Sequence, residues 1–168
     1  MSTASIPLAF ERLRLDPSST LDLALVLANA RLLQQAVEPP QRHRLLQGKN
    51  LALMCESADS ADARRFRDAA LDLGANVAHL RTGLAEQPRD VRLHTARLLG
   101  RLYQGIECQG LPADTVGELA SEAGVPVYDG VASATHPFAR LASMLDDGGR
   151  LDRSWQLIVQ AVLVSTIG

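Results

Sequence analysis

From residue 50 onward, short apolar runs alternate with longer amphipathic stretches. Asn50-Leu51-Ala52-Leu53-Met54-Cys55 is continuously apolar, the pattern of a parallel strand covered on both faces. Residues 60–73 then place Phe66, Ala69, Ala70 and Leu73 on one helical face, with Gly74 as the stop. Residues 76–80 predict a second strand, 81–89 a loop, and 90–103 a helix with Val91, Leu98, Leu99 and Leu102 on one side. A third strand follows over 106–109. Pro112 opens the next helix, Gly124 closes it, and 125–128 read as the fourth strand. Pro137 opens a helix carrying Phe138, Leu141 and Leu145. Ahead of all this, residues 20–37 predict a helix on the period of Leu21, Leu25, Ala28 and Leu32, with caps at Ser18 to Thr20 and a stop at Pro39-Pro40. It is apolar nearly all round, which predicts cover on more than one face. Residues 154–167 are apolar and rich in β-branched side chains; pattern does not separate strand from helix there, and length favours helix.

Strands separated by helices predict right-handed crossovers. The fold class is therefore α/β: three layers, with a four-stranded parallel sheet flanked by helices. In such sheets ligands sit beyond the carboxyl ends of the strands. That edge comprises residues 56–62, 82–89, 109–111 and 129–136.

Composition narrows the classes. The 168 residues fit one domain, with a sheet core over about 48–145 and a C-terminal helix over about 153–167. A net charge of −2 and a pI near 6.1 give no electrostatic case for nucleic acid or an anionic membrane. The N-terminus lacks the basic and apolar regions of a signal peptide, and no apolar run reaches the ~18–20 residues of a membrane span. A cytoplasmic protein is expected, with Cys55 and Cys108 as buried reduced thiols. His43, His79, His94 and His136 are scattered, so no metal or other cofactor is expected.

Several segments carry a more specific signal. Gly48-Lys49-Asn50-Leu51-Ala52-Leu53 opens the first strand, and the helix after it carries Phe66, Ala69-Ala70, Asp72 and Gly74-Ala75. Then come Thr95-Ala96-Arg97, Leu99-Gly100-Arg101, Tyr103 and Gly105-Ile106, and after them Val125-Pro126-Val127, Gly130 and His136-Pro137. In order and spacing these resemble the carbamoyl-phosphate domain of carbamoyltransferases, most closely ornithine carbamoyltransferase. Ala161-Val162-x-Val164-x-Thr166-x-Gly168 is similar to that family's last helix, which returns to the first domain after a whole acceptor-binding domain. Here it follows Leu145 after a short joint over 146–150, so the acceptor domain is expected to be absent. The resemblance implies that the helices over 20–37 and 154–167 pack together on the sheet.

The same comparison argues against the family's chemistry. The family grips phosphate with an S-T-R-T-R loop at a helix N-terminus, where N–H groups, hydroxyls and guanidinium groups converge. The matching positions here are Asp59, Ser60, Ala61, Asp62 and Ala63: both arginines are alanine and two carboxylates stand in the loop. Each lost charge-assisted bond costs roughly 1.5–3 kcal/mol. Each carboxylate near a phosphate adds about 1 kcal/mol at 4 Å in water, and several-fold more at lower dielectric. Asp59 and Asp62 suit a helix N-terminus as caps. The family's H-P-T-Q is here His136-Pro137-Phe138-Ala139. The resemblance makes Ser60, Arg101 and His136 the residual ligand-binding candidates, with no catalytic residue assigned. Arg89 answers a family lysine in a loop that reaches a neighbouring active site.

The resulting expectation is a catalytically inactive carbamoyltransferase-like protein. It would act by assembly, as a homo-oligomer (the family is trimeric through this domain) or as a hetero-oligomer with a full-length carbamoyltransferase. Two alternatives stand beside it. One is a small-ligand module with Asp59, Asp62, Arg101 and His136 converging at the strand edge, suited to an amine. The other is a half-enzyme, transferring a carbamoyl group to an amino-acid amine, completed by another chain.

Overall fold

Four parallel strands form one sheet among the described residues, in the order β2-β1-β3-β4. The computed structural model of the chain describes residues 15–35, 39–81, 83–145 and 148–168. The N-terminal residues 1–14, the predicted helix end at 36–37, Thr82 and residues 146–147 of the joint lie outside the described residues. Along the chain run α1 (Thr20–Gln35), the single turn α2 (Pro39–Arg42), β1 (Asn50–Met54), α3 (Ala61–Asp72) and β2 (Asn76–Leu80). A 3-10 turn at Leu84–Glu86 leads to α4 (Arg89–Leu102), β3 (Gly105–Cys108), α5 (Ala113–Glu122) and β4 (Val127–Asp129). A 3-10 helix at Pro137–Met144 and α6 (Leu151–Ile167) complete the described elements. The register pairs Leu51 with Val77 on one side and Gly105 on the other, and Glu107 with Tyr128.

The side chains of β1 alternate between two cores. Leu51 and Leu53 join α1, α3, α6 and the 3-10 helix over 137–144 on one face. Ala52 and Met54, with Ile106 and Cys108 of β3, pack under α4 and α5 on the other. This is the expected three-layer α/β arrangement. Phe66 is fully buried, as the amphipathic spacing of α3 predicts.

α6 lies in the middle of the first core. Every residue from Leu157 to Ile167 is buried, which explains its apolar, β-branched composition. It packs against α1, where Asn29 Nδ2 donates to Ser165 Oγ at 2.8 Å in a buried bond. Gln160 Nε2 reaches Asp72 of α3 at 2.7 Å. The Tyr128 hydroxyl of β4 bonds Thr166, whose own hydroxyl donates to Val162 O at 2.8 Å.

Two sequence expectations shift in detail. The face α1 buries is Val26, Leu27, Asn29, Ala30 and Leu33. Leu21 is 81% exposed and Leu32 45%. A helix apolar on most sides has a weak preference for any one stripe, so its sequence period does not say which residues meet α6. β4 begins at Val127, two residues later than expected, because Pro126 has no N–H; its carbonyl still accepts from Ile106 N at 2.9 Å.

Gly100 sits where α4 crosses α5. A Cβ there would lie 1.7 Å from Ala123 O, so only glycine permits the approach. Arg92 strengthens the same contact with a two-pronged pair to Glu118, at 2.6 and 2.9 Å. Among the described residues, no helix is long and apolar enough to cross a membrane.

Candidate functional site

The carboxyl edge of the sheet is formed by the chain leaving β1, β3 and β4. After β1, residues 56–60 turn into α3. Ser60 is the N-cap of that helix, and its Oγ accepts from Ala63 N at 3.1 Å. Its hydroxyl is thus engaged by its own helix, as expected for a cap. Asp59 is exposed, and its N–H donates to Ser57 Oγ at 3.3 Å. Arg67 donates to Ala58 O at 3.2 Å and ties the turn to α3.

Asp62 faces inward and meets Arg65 at 3.3 Å. The Arg65 guanidinium also donates to Ala132 O at 2.8 Å and lies 3.5 Å above the Trp155 ring. One arginine therefore joins α3, α6 and the chain after β4.

That chain, residues 130–136, rests on a buried carboxyl. Glu107 of β3 is fully buried, and its Oε2 accepts from Val131 N at 3.2 Å. Burial holds its carboxyl well above the usual range, opposed in part by the hydrogen bonds from Val131, Gln109 and Ala132. Burial, and after it the neighbouring Glu107, also raise the Cys55 thiol, which donates to Ser57 O at 3.4 Å. Neither Cys55 nor Cys108 is paired, and both are buried. A thiol held protonated in this way is a poor nucleophile.

His136 caps the 3-10 helix that follows. Its Nδ1 accepts from Phe138 N at 3.2 Å, which leaves the ring proton on Nε2. Burial lowers its pKa, with Asp129 pulling the other way.

Between these segments lies a polar cavity of about 450 Å³, lined by Asp62, Gln109, Asp129, Ser133, Thr135 and His136 among others. Among the described residues, no lysine or arginine lines it. A second cavity, also about 450 Å³ and mainly apolar, runs along the outer side of β4. The two share Pro17, Asp129 and His136.

The structure brings Asp62 and His136 together and leaves the other candidates apart. Ser60 and Asp59 line neither cavity, and Ala61 is exposed while Ala63 is buried under α3. Arg101 is at the opposite edge of the sheet, exposed in the last turn of α4, close to where Gln104 N donates to Asn50 O at the start of β1. It makes no ion pair among the described residues. Because α4 runs antiparallel to the strands, its C-terminal end is carried away from the carboxyl edge. The expected convergence of Asp59, Asp62, Arg101 and His136 therefore does not form. Arg89 starts α4 and pairs with Glu118 at 3.4 Å. Sequence reasoning passed over Gln109, Asp129 and Glu107. The first two lie in edge segments already singled out by topology, and the third is a charge within a run read as buried strand.

Several curated relatives of the chain are named ornithine carbamoyltransferase. It is 39% identical over 132 residues to an ornithine carbamoyltransferase of Cutibacterium acnes, covering 76% of this chain and 38% of the relative. It is 36% identical over 138 residues to a catabolic ornithine carbamoyltransferase of Pseudomonas putida, covering 79% and 40%. This chain resembles ornithine carbamoyltransferase. The ornithine carbamoyltransferase of Pyrococcus furiosus superposes with a TM-score of 0.63 at 25% identity, over 82% of this chain and 44% of that one. That of Thermus thermophilus gives 0.59 at 30% identity, over 77% and 45%. The four-stranded parallel sheet and its flanking helices thus match those of carbamoyltransferase structures. The chain spans about two fifths of the length of these relatives. No protein-family model matches it.

Proposed function

We propose that this chain is a carbamoyltransferase-like protein without the family's catalysis, acting through assembly with itself or with a full-length carbamoyltransferase. The observation that carries this reading is the lining of the polar cavity: among the described residues it has two carboxylates, Asp62 and Asp129, and no lysine or arginine. A phosphate placed there loses charge-assisted bonds worth roughly 1.5–3 kcal/mol each. It also meets repulsion from Asp129 where the family supplies attraction. Ser60 lines neither cavity, and burial favours the uncharged His136 ring, so among the described residues no cation takes the place of the family's arginines. Carbamoyl transfer to an amine also requires an acceptor site. Leu145 is joined to α6 by five residues, which leaves no second domain at the place the resemblance assigns to one.

Assembly has its own support. Val91, Leu98 and Leu102 of α4 are 41%, 43% and 62% exposed and recur along one side of the helix. A trimer, or insertion into a relative's trimer, would cover such a stripe. The deciding experiment is a calorimetric titration of the purified chain with carbamoyl phosphate, with inorganic phosphate as control. We expect no saturable heat above the control. Saturable binding tighter than about millimolar would overturn the non-catalytic reading and favour a half-enzyme completed by another chain.

A further inference from the structure

The two cavities at β4 meet across Asp129 and His136, and their chemistries differ. The polar one presents carboxylates and hydroxyls; the other presents Val125, Val127, Phe138 and Val162. We propose that together they form a binding site for a small organic cation: a primary amine with a short apolar tail, its ammonium at Asp129 and its tail along β4.

Charge supports the head group. Asp62 is shared with Arg65 at 3.3 Å, so the two nearly cancel. Asp129 is exposed and makes no ion pair among the described residues, and so leaves the site net negative. His136 does not offset it, since burial favours the uncharged ring. Among the described residues, no other cationic side chain lines either cavity.

Backbone geometry supplies acceptors as well. In a parallel ladder alternate residues bond opposite neighbours. Pro126 O accepts from Ile106 N and Gly130 N donates to Cys108 O, both toward β3. The peptide groups of Val127 and Asp129 therefore face the open side of β4. Their carbonyls accept no hydrogen bond among the described residues, so they can take ammonium protons that the Asp129 carboxylate does not take.

The tail follows from the walls. The second cavity is built of apolar side chains from β4, the 3-10 helix and α6, and its volume of about 450 Å³ is ample for several methylenes. A carboxylate or phosphate of the same length would meet the wrong sign of charge, and a bare ammonium would leave the apolar cavity unused.

This inference does not depend on the assembly reading and is read out separately. The full chain would be titrated with propylamine, butylamine and hexylamine, and with hexanoate and hexanol as controls, following amide shifts by NMR. We expect saturable binding of hexylamine, weakening as the tail shortens, with hexanoate weaker by about tenfold or more. Asp129→Asn, at an exposed position, should cost hexylamine roughly tenfold while leaving hexanol unchanged. Equal binding of hexylamine and hexanoate, no saturation by about 10 mM, or full affinity in D129N would each overturn the site.

Discussion

Glu107 is a carboxyl buried within the sheet, and its burial makes stability depend on pH. Its pKa in the folded chain lies above its unfolded value, because burial disfavours the charged form. The stability it contributes is fully present below the ordinary carboxyl pKa near ~4.3 and is lost as pH rises toward the raised value. His136 acts on the other side. Its depressed pKa gives stability that is present above the ordinary imidazole value near ~6.5 and is lost as pH falls through the lowered one. Glu107→Gln keeps the shape and an acceptor for Val131 N while removing the titration. Its thermal midpoint should therefore fall less than the wild type's between mildly acid and alkaline buffer; a parallel fall in both proteins would refute this account. The residue was readable in outline. A glutamate inside an apolar strand is a visible anomaly, whereas its partners at 131 and 132 depend on how the chain returns after β4. Arg101 shows the converse. Its motif was recognisable, yet the direction of α4, and not the motif, decides which edge of the sheet it occupies.

Among the elements, the α4–α5 contact is the least forgiving. Gly100 allows Ala123 O to sit where a Cβ would be, 1.7 Å away. Gly100→Ala must push the helices apart, and overpacking of this kind costs about 1–3 kcal/mol or more. A denaturant melt should show a lower midpoint with an unchanged slope. The alternation of strands and helices was legible because two-sided strands read as apolar runs and α3 as a clean 3.6 period. α1 was legible as a helix but not in its orientation: Leu21 and Leu32 look like core residues, and only the placement of α6 leaves them outside. The same holds for Val91, Leu98 and Leu102 of α4, which the sequence pattern places on one side with Leu99. Leu99 and Ala96 take the buried side. The candidate site was legible as a location, through the strand-edge rule, but its lining came from β3 and β4 more than from the loop that drew attention.

For the whole molecule, the exposed side of α4 is where assembly is tested. Leu98→Glu removes an apolar contact at a surface position, so the monomer's stability should stay within about 0.5 kcal/mol. If the stripe is an interface, sedimentation of the variant should shift toward the monomer. A wild-type chain that is strictly monomeric and ignores a full-length carbamoyltransferase would defeat the assembly reading. One feature of the architecture also governs how the chain is made. The core around β1, α1 and α3 has α6 at its centre, and Asn29 finds its partner 136 residues later, at Ser165. The core under α4 and α5 needs only residues between β1 and β4. During synthesis the second can close while the first waits, so α1 and the inner face of the sheet stay uncovered until residues 151–167 leave the ribosome. That interval is when this chain most needs a chaperone, and when a partner could be captured before α6 takes its place.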